Sequence, residues 1–146
     1  MKKFIMKKCI FALVTSLTLG LASATWAEVA VIVHPSAGVD SLNEDDVSRL
    51  FLGKSKSFPG GAQAVPVNQN EGSAAREKFN EAVCKKNASQ YKAYWSQLVF
   101  TGKGTPPKDA GDDAAVKALV AANPTMIGYV DASVVDASVK VVYKIP

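Results

Sequence analysis

Residues 64–79 read AVPVNQNEGSAAREKF. The first five are strand-like, and Pro66 among them predicts an edge strand or an irregular one, because proline has no N–H to give to a sheet. Gly72 then leads into a helix from residue 74, on which Phe79 and Val83 have apolar helical spacing. A strand that passes through a glycine into a helix is typical of α/β proteins.

The junction at Gly72 and Ser73 is a candidate anion-binding site. The first turn of a helix leaves backbone N–H groups unpaired at the positive end of the helix dipole, which favours a bound oxyanion. Ser73 adds a hydroxyl donor, and Arg76 adds a permanently charged fork of donors. Serine is also among the best N-caps, so a Ser73 that only caps its own helix fits the same sequence. Both interpretations remain open at this stage.

The remaining elements alternate in the same way. Residues 29–33 are a β-branched run long enough for a buried strand, and residues 43–51 form a short capped helix. Further helices are expected at 89–100 and from 112 onward, and the last strands at 126–130 and 139–143. We expect Tyr91, Tyr94 and Trp95 of the 89–100 helix to pack in the core, and Ile127 and Val130 to pack against the helix that carries Trp95. The order predicts a three-layer α/β/α domain around a short mixed sheet.

Residues 1–27 have the features of a secretory signal peptide. A basic start is followed by an apolar run at residues 10–21 and by small residues at 22–27. We expect cleavage after Ala27, with Ala24 as the alternative, which leaves a periplasmic domain of residues 28–146. The apolar run is shorter than the roughly 20 residues that span a bilayer, which disfavours a permanent membrane anchor. Cys9 stands at the start of this run and not at its end, which disfavours a lipid anchor.

The charge of the chain changes when this segment is removed. The full sequence has 17 basic and 13 acidic side chains, and residues 1–27 contain four lysines and no acid, so thirteen of each sign remain. The basic character therefore belongs to the export signal, and nucleic acid is not expected as a partner. A mature chain of this length is enough for one hydrophobic core.

Few residues suggest other chemistry. Cys84 is expected to be a buried free thiol, with a disulfide between chains or a reactive thiol as the alternative. His34 stands alone without metal-ligand spacing, so we expect a turn or surface role, and no metal or cofactor. Lys54, Lys56, Lys103 and Lys108 are interpreted as loop charges that could steer an anion. No set of acid, base and nucleophile is recognisable, so an enzyme is not expected.

Five segments in order resemble the phosphate-binding components of bacterial ABC transporters, the type II periplasmic binding proteins. They are residues 50–54, 66–79, 94–95, 100–102 and 123–130, which read LFLGK, PVNQNEGSAAREKF, YW, FTG and NPTMIGYV. The resemblance covers nearly the whole mature chain, but its size corresponds to one lobe, similar to the second lobe of the larger members. It implies an exported solute-binding module for phosphate or a related oxyanion.

The family's anion loop is Gly-Ser-Gly-Thr followed by Arg or Ser, and it falls on Gly72, Ser73, Ala74, Ala75 and Arg76. Ala74 and Ala75 depart from that pattern, and Gln69 stands where some members have an arginine. The family implies that Arg76 either contacts the ligand or pairs with an acid inside the lobe. It also implies an ABC permease, a sensor or a second lobe as partner. The alternative function is a periplasmic interaction or regulatory module that has lost ligand binding.

Overall fold

The computed structural model describes residues 28–146. The predicted export signal and Cys9 lie outside the described residues. The elements within the described part are β1 (Val29–Val33), α1 (Glu44–Phe51), β2 (Val65–Asn68), α2 (Ala74–Ala82), α3 (Ala88–Phe100), β3 (Lys108–Asp109), α4 (Asp113–Ala122), β4 (Met126–Asp131), a short 3-10 helix (Ala132–Val134) and β5 (Lys140–Ile145).

The strands form one mixed sheet in the order β3-β2-β4-β1-β5. β1 lies between β4 and β5 and pairs antiparallel with both, whereas β2 pairs parallel with both β3 and β4. Every side chain of β1 is buried, as its run of valine, alanine and isoleucine predicts for a strand covered on both faces. The expected short mixed sheet is confirmed.

Helices cover both faces of this sheet. Val29, Val31 and Val33 share one hydrophobic cluster with residues of α1, α2 and α3, while Ala30 and Ile32 share another with Val116 and Val120 of α4. Successive side chains of a strand point to opposite faces, so β1 contributes to both cores, which lie on the two sides of the sheet. The predicted three-layer α/β/α architecture is therefore confirmed for the described residues.

Of the two packing contacts expected for β4, the one of Ile127 is confirmed and the one of Val130 is wrong. Ile127 lies in the cluster that contains Trp95, but Val130 lies in the opposite cluster with α4. The two residues are three positions apart, and an odd separation places side chains on opposite faces of a strand. They therefore cannot both contact the helix that carries Trp95.

Pro66 is tolerated within β2 although it has no N–H to give to the sheet. β2 lies inside the sheet, not at its edge, but β3 pairs only with Val67 and Asn68. Pro66 itself has Ile127 as a partner on the β4 side and no partner in β3. The missing N–H is thus accommodated because the neighbouring strand is too short to reach it.

The helix ends follow the sequence. Asn43 caps α1 in a capping box with Asp46, and Asp112 caps α4 by accepting from the Ala115 N–H at 2.9 Å. On α3, Tyr91 and Trp95 are buried as expected, whereas Val99 at the end of the helix is 52% exposed.

Candidate functional site

The candidate site lies at the edge of the sheet where β2, β3 and β4 end, which we call the carboxyl edge. These strands are parallel, so the loops that follow them lie together. α2 begins after β2, and α4 begins after β3. Open α/β sheets bind ligands at such edges, where helix N-termini also concentrate backbone N–H groups.

Ser73 caps α2 at this edge. Its Oγ accepts a hydrogen bond from the Arg76 N–H at 3.0 Å and donates to Gln69 Oε1 at 3.0 Å. The preceding Gly72 has φ +86°, a conformation that L side chains rarely adopt. The capping role considered from the sequence is therefore confirmed, and the hydroxyl already has a donor and an acceptor inside the protein.

Gln69 joins three parts of the site, a role that the sequence did not indicate. The side chain is 2% exposed, and its Nε2 donates to Asp113 Oδ1 and to the Tyr129 carbonyl at 3.0 Å. Its amide oxygen accepts from Ser73, so both ends of the amide are satisfied. Asp113 also accepts from the Asp131 N–H at 3.0 Å. This network fixes the loop after β2 against α4 and the end of β4.

A second buried network anchors the end of β2. Asn68 donates to the Tyr91 hydroxyl at 2.8 Å and accepts from the Tyr129 hydroxyl at 2.9 Å. The Tyr129 ring stacks on Phe79 of α2 with 4.1 Å between the ring centroids. Burial raises the pKa of both tyrosine hydroxyls, so they remain protonated donors at neutral pH.

Arg76 is held inside the domain. Its Nη1 forms an ion pair with Asp109 Oδ1 at 2.9 Å and donates to the Gln69 carbonyl at 2.9 Å, and the guanidinium lies 5.5 Å from the centre of the Tyr91 ring. Only 13% of the side chain is exposed. Of the two roles that the resemblance implied, the structure contains the pairing with an acid inside the lobe.

The first turn of α2 still offers backbone donors. The N–H groups of Ala74 and Ala75 precede the first intrahelical hydrogen bonds of an α-helix, so they have no acceptor within it. Both residues line a cavity of about 720 Å³ at the carboxyl edge, together with Ser73 and Gly111.

Acidic side chains surround the same cavity. Its lining includes five carboxylates and a single lysine, Lys78; the carboxylates are Glu77, Glu81, Asp112, Asp113 and Asp131. Hydrogen bonds from the Ser133 N–H and hydroxyl, with a smaller contribution from the charge of Lys78, lower the pKa of Asp131. These charges oppose the binding of a phosphate dianion and partly offset the attraction of the helix terminus.

The other candidate residues lie apart from this edge. His34 follows β1, which runs antiparallel to β4, so it lies at the opposite end of the sheet, where its Nδ1 accepts from the Ser36 N–H at 2.9 Å. The turn role is confirmed. Cys84 is a buried free thiol, as expected. Among residues 28–146, no group of three potential metal ligands occurs.

The described residues form one three-layer α/β/α unit with a candidate anion site at its carboxyl edge. Comparison with solved structures shows which proteins share this fold. A phosphate ABC transporter substrate-binding protein from Clostridium perfringens, solved with bound phosphate, is 25% identical at a TM-score of 0.64, over 80% of this chain and 45% of that one. An ABC-type phosphate transport receptor from Vibrio cholerae is 16% identical at 0.62, over 80% and 46% of the two chains. PstS from Borrelia burgdorferi is 13% identical at 0.59, over 80% and 47%.

The resemblance predicted from the sequence is therefore confirmed: the chain has the fold of one lobe of phosphate ABC transporter substrate-binding proteins. It spans a little under half the length of the solved structures that it matches. No protein-family model matches the sequence, and no curated protein matches it. Within residues 28–146, the helices are all too short or too polar to cross a membrane.

Proposed function

We propose that this protein is an exported, periplasmic solute-binding module for phosphate or a related oxyanion, with Gly72, Ser73, Ala74, Ala75 and Arg76 around the anion. The observation that carries the proposal is the start of α2. Two backbone N–H groups without helical acceptors and a serine cap lie at the carboxyl edge of a fold shared with a phosphate-bound protein. Cleavage of residues 1–27 and work with an ABC permease, a sensor or a second lobe belong to the same proposal. No catalytic activity is proposed.

The expected affinity is low. A single lobe leaves the helix terminus open to water, Arg76 is already paired with Asp109, and carboxylates line the neighbouring cavity. We expect phosphate to bind in the high-micromolar to millimolar range, about −4 to −6 kcal/mol, and binding to weaken as salt is added.

Isothermal titration with phosphate, sulfate and molybdate at low and high salt tests the proposal. Arg76→Ala should weaken binding more than Ser73→Ala, because charged hydrogen bonds contribute about 1.5–3 kcal/mol and neutral ones about 0.5–1.5 kcal/mol. Arg49→Ala and Ser89→Ala are matched controls on α1 and α3 and should leave binding unchanged. Asp109→Asn should strengthen binding up to about fivefold, because it releases Arg76 from a partly exposed ion pair.

A second function is favoured by the same contacts that lower the affinity. The side chains of Ser73 and Arg76 are both engaged inside the domain, as expected of a lobe that keeps its fold without a ligand. In that case the chain is a periplasmic interaction or regulatory module. Wild-type protein that gives no heat with millimolar phosphate, while Ser73→Ala lowers the free energy of unfolding by about 0.5–2 kcal/mol, would favour this module over solute capture.

A further inference from the structure

Three lysines line one groove that extends from the end of the sheet opposite the carboxyl edge along β2 to Val67. This amino edge is where β2 and β4 begin, whereas Lys108 of β3 pairs with Val67 further along the sheet. A groove of about 760 Å³ lies there, with an apolar floor that includes Val65, Trp95 and Met126. Lys56 comes from the loop after α1, Lys103 and Lys108 come from the segment that follows α3, and the lining contains no aspartate or glutamate. We call it the lysine groove.

The fold does not use these charges. Lys56, Lys103 and Lys108 are exposed and form no ion pair within residues 28–146, whereas Lys85, Lys117 and Lys140 each pair with a carboxylate. The carboxylates of the cavity at the carboxyl edge lie at the far end of the strands. The lysine groove therefore has a positive potential, because its lining contains three lysines without an ion pair in the described residues and no carboxylate.

The walls of the groove are held in place by α3. The Trp95 indole packs so closely on the loops after α1 and α3 that a Cβ on Gly53 would lie 2.8 Å from its Cη2, and one on Gly104 would lie 3.2 Å from its Cζ3. The Tyr94 hydroxyl donates to the Leu52 carbonyl at 2.7 Å. These contacts position the segments that carry Lys56 and Lys103, so the groove is preformed.

Apolar surface continues beyond the groove. Val99 lines it and is 52% exposed, and the adjacent Phe100 is 93% exposed; they are the exposed large hydrophobic residues of the described chain. An exposed aromatic beside an apolar floor is typical of the anchor positions of protein interfaces. Pro66 borders the groove and lacks the N–H that an added β-strand would need, so an occupant would be held by side chains.

We propose that the lysine groove binds an acidic, partly apolar peptide segment of a partner protein. Carboxylates of the segment pair with Lys56, Lys103 and Lys108, and its apolar side chains contact the floor and Val99. The concave shape favours a chain segment over a flat lipid surface, and complementary charge would accelerate and orient the encounter. The lining of the groove includes none of Gly72, Ser73, Ala74, Ala75 and Arg76, so the peptide site is separate from the proposed anion site, although Lys108 directly precedes Asp109, the ion-pair partner of Arg76.

Fluorescence anisotropy with labelled peptides of about ten residues, long enough to span the groove when extended, tests the proposal. Three peptides are compared: in the first Asp alternates with Leu, in the second Lys alternates with Leu, and in the third Asp alternates with Ser. We expect the Asp–Leu peptide to bind with a micromolar Kd and the other two at least about tenfold more weakly, because the groove requires both charge and apolar contact. Equal binding of the Asp–Ser peptide would show that the groove recognises negative charge alone, and it would overturn the proposal.

Charge reversals locate the binding. Lys56→Glu/Lys103→Glu should raise the Kd of the Asp–Leu peptide at least about tenfold, while the matched control Lys86→Glu/Lys144→Glu should change it less than about twofold. Circular dichroism checks that both variants fold. Failure of the Asp–Leu peptide to bind, or equal weakening by the control, would overturn the proposal. Co-sedimentation with phosphatidylglycerol vesicles tests a membrane surface as the partner. Binding to the vesicles that is lost in Phe100→Ser and that the peptide does not displace would overturn the peptide proposal in favour of a membrane surface.

Discussion

At the scale of single residues, the side chains proposed to contact an anion are also structural. Ser73, Gln69 and Arg76 form a continuous set of hydrogen bonds that begins at the cap of α2 and ends at Asp109 of β3. A substitution here changes both stability and any ligand contact, so the two effects must be measured separately.

Gln69 offers the clearest stability test. We expect Gln69→Leu to lower the free energy of unfolding by about 1–3 kcal/mol, because the buried Tyr129 carbonyl loses the Gln69 donor and Asp113 keeps only the Asp131 N–H. Gln97→Leu, on the exposed face of α3, should change it by less than about 0.5 kcal/mol. Urea unfolding of both variants measures this, and equal midpoints would show that the network contributes nothing.

Cys84 gives a prediction about pH. Burial raises the pKa of its thiol to about 12, while the charge of Lys86 lowers it slightly. A pKa raised in the folded state means that the contribution to stability is complete below the unfolded pKa near 9 and is lost as pH rises towards 12. Unfolding free energy should therefore fall above pH 9, and less steeply in Cys84→Ala. Parallel curves for the two proteins in urea titrations would contradict this.

At the scale of elements, close contact between helices and sheet sets the tolerance to change. α4 lies so near β4 that a Cβ on Gly128 would meet Val116 Cγ1 at 2.5 Å and Val67 Cγ2 at 3.2 Å. Trp95 of α3 packs in a similar way against Gly53, which follows α1, and against Gly104, which follows α3. Each contact can be tested with one substitution.

Gly128→Ala should destabilise the protein by about 1–3 kcal/mol through overpacking. Val116→Ala in the same chain should recover part of this cost, because it removes the methyl groups that the new Cβ meets. Thermal melts of both single variants and the double variant form the cycle. Costs that simply add would show that the two positions do not interact.

Trp95→Ala should cost roughly 3–5 kcal/mol, the usual range for the loss of a buried aromatic side chain. The indole is 5% exposed, so most of its packing would be lost. A melting temperature unchanged by the substitution would contradict the packing of α3 on the loops after α1 and α3.

At the scale of the whole molecule, stability depends on the strand at the start of the described chain. β1 lies between β4 and β5, and its five side chains are at most 1% exposed. Without it the sheet divides in two and each core loses its centre.

A chain that begins at Glu28 should therefore fold as well as the full chain, whereas one that begins at Pro35 should stay unfolded. Circular dichroism and thermal melts distinguish the two. Cooperative unfolding of the shorter chain would show that β1 is dispensable, contrary to its place in the sheet.

The sequence by itself determined the local elements of this protein. The buried run of β1, the caps at Asn43, Ser73 and Asp112, and the mixed three-layer architecture all follow from propensities and contacts between residues a few positions apart. The family resemblance also followed from the order of short motifs.

Only the tertiary structure decided which side chains meet over long separations. Arg76 forms an ion pair with Asp109, which lies 33 residues later, and Gln69 donates to the Tyr129 carbonyl. Val130 packs on the face of the sheet opposite Trp95. Three lysines that read as scattered loop charges line one groove for the same reason. These contacts depend on strand order and on which face each residue occupies, and the packing of the two cores sets both, because no local propensity specifies them.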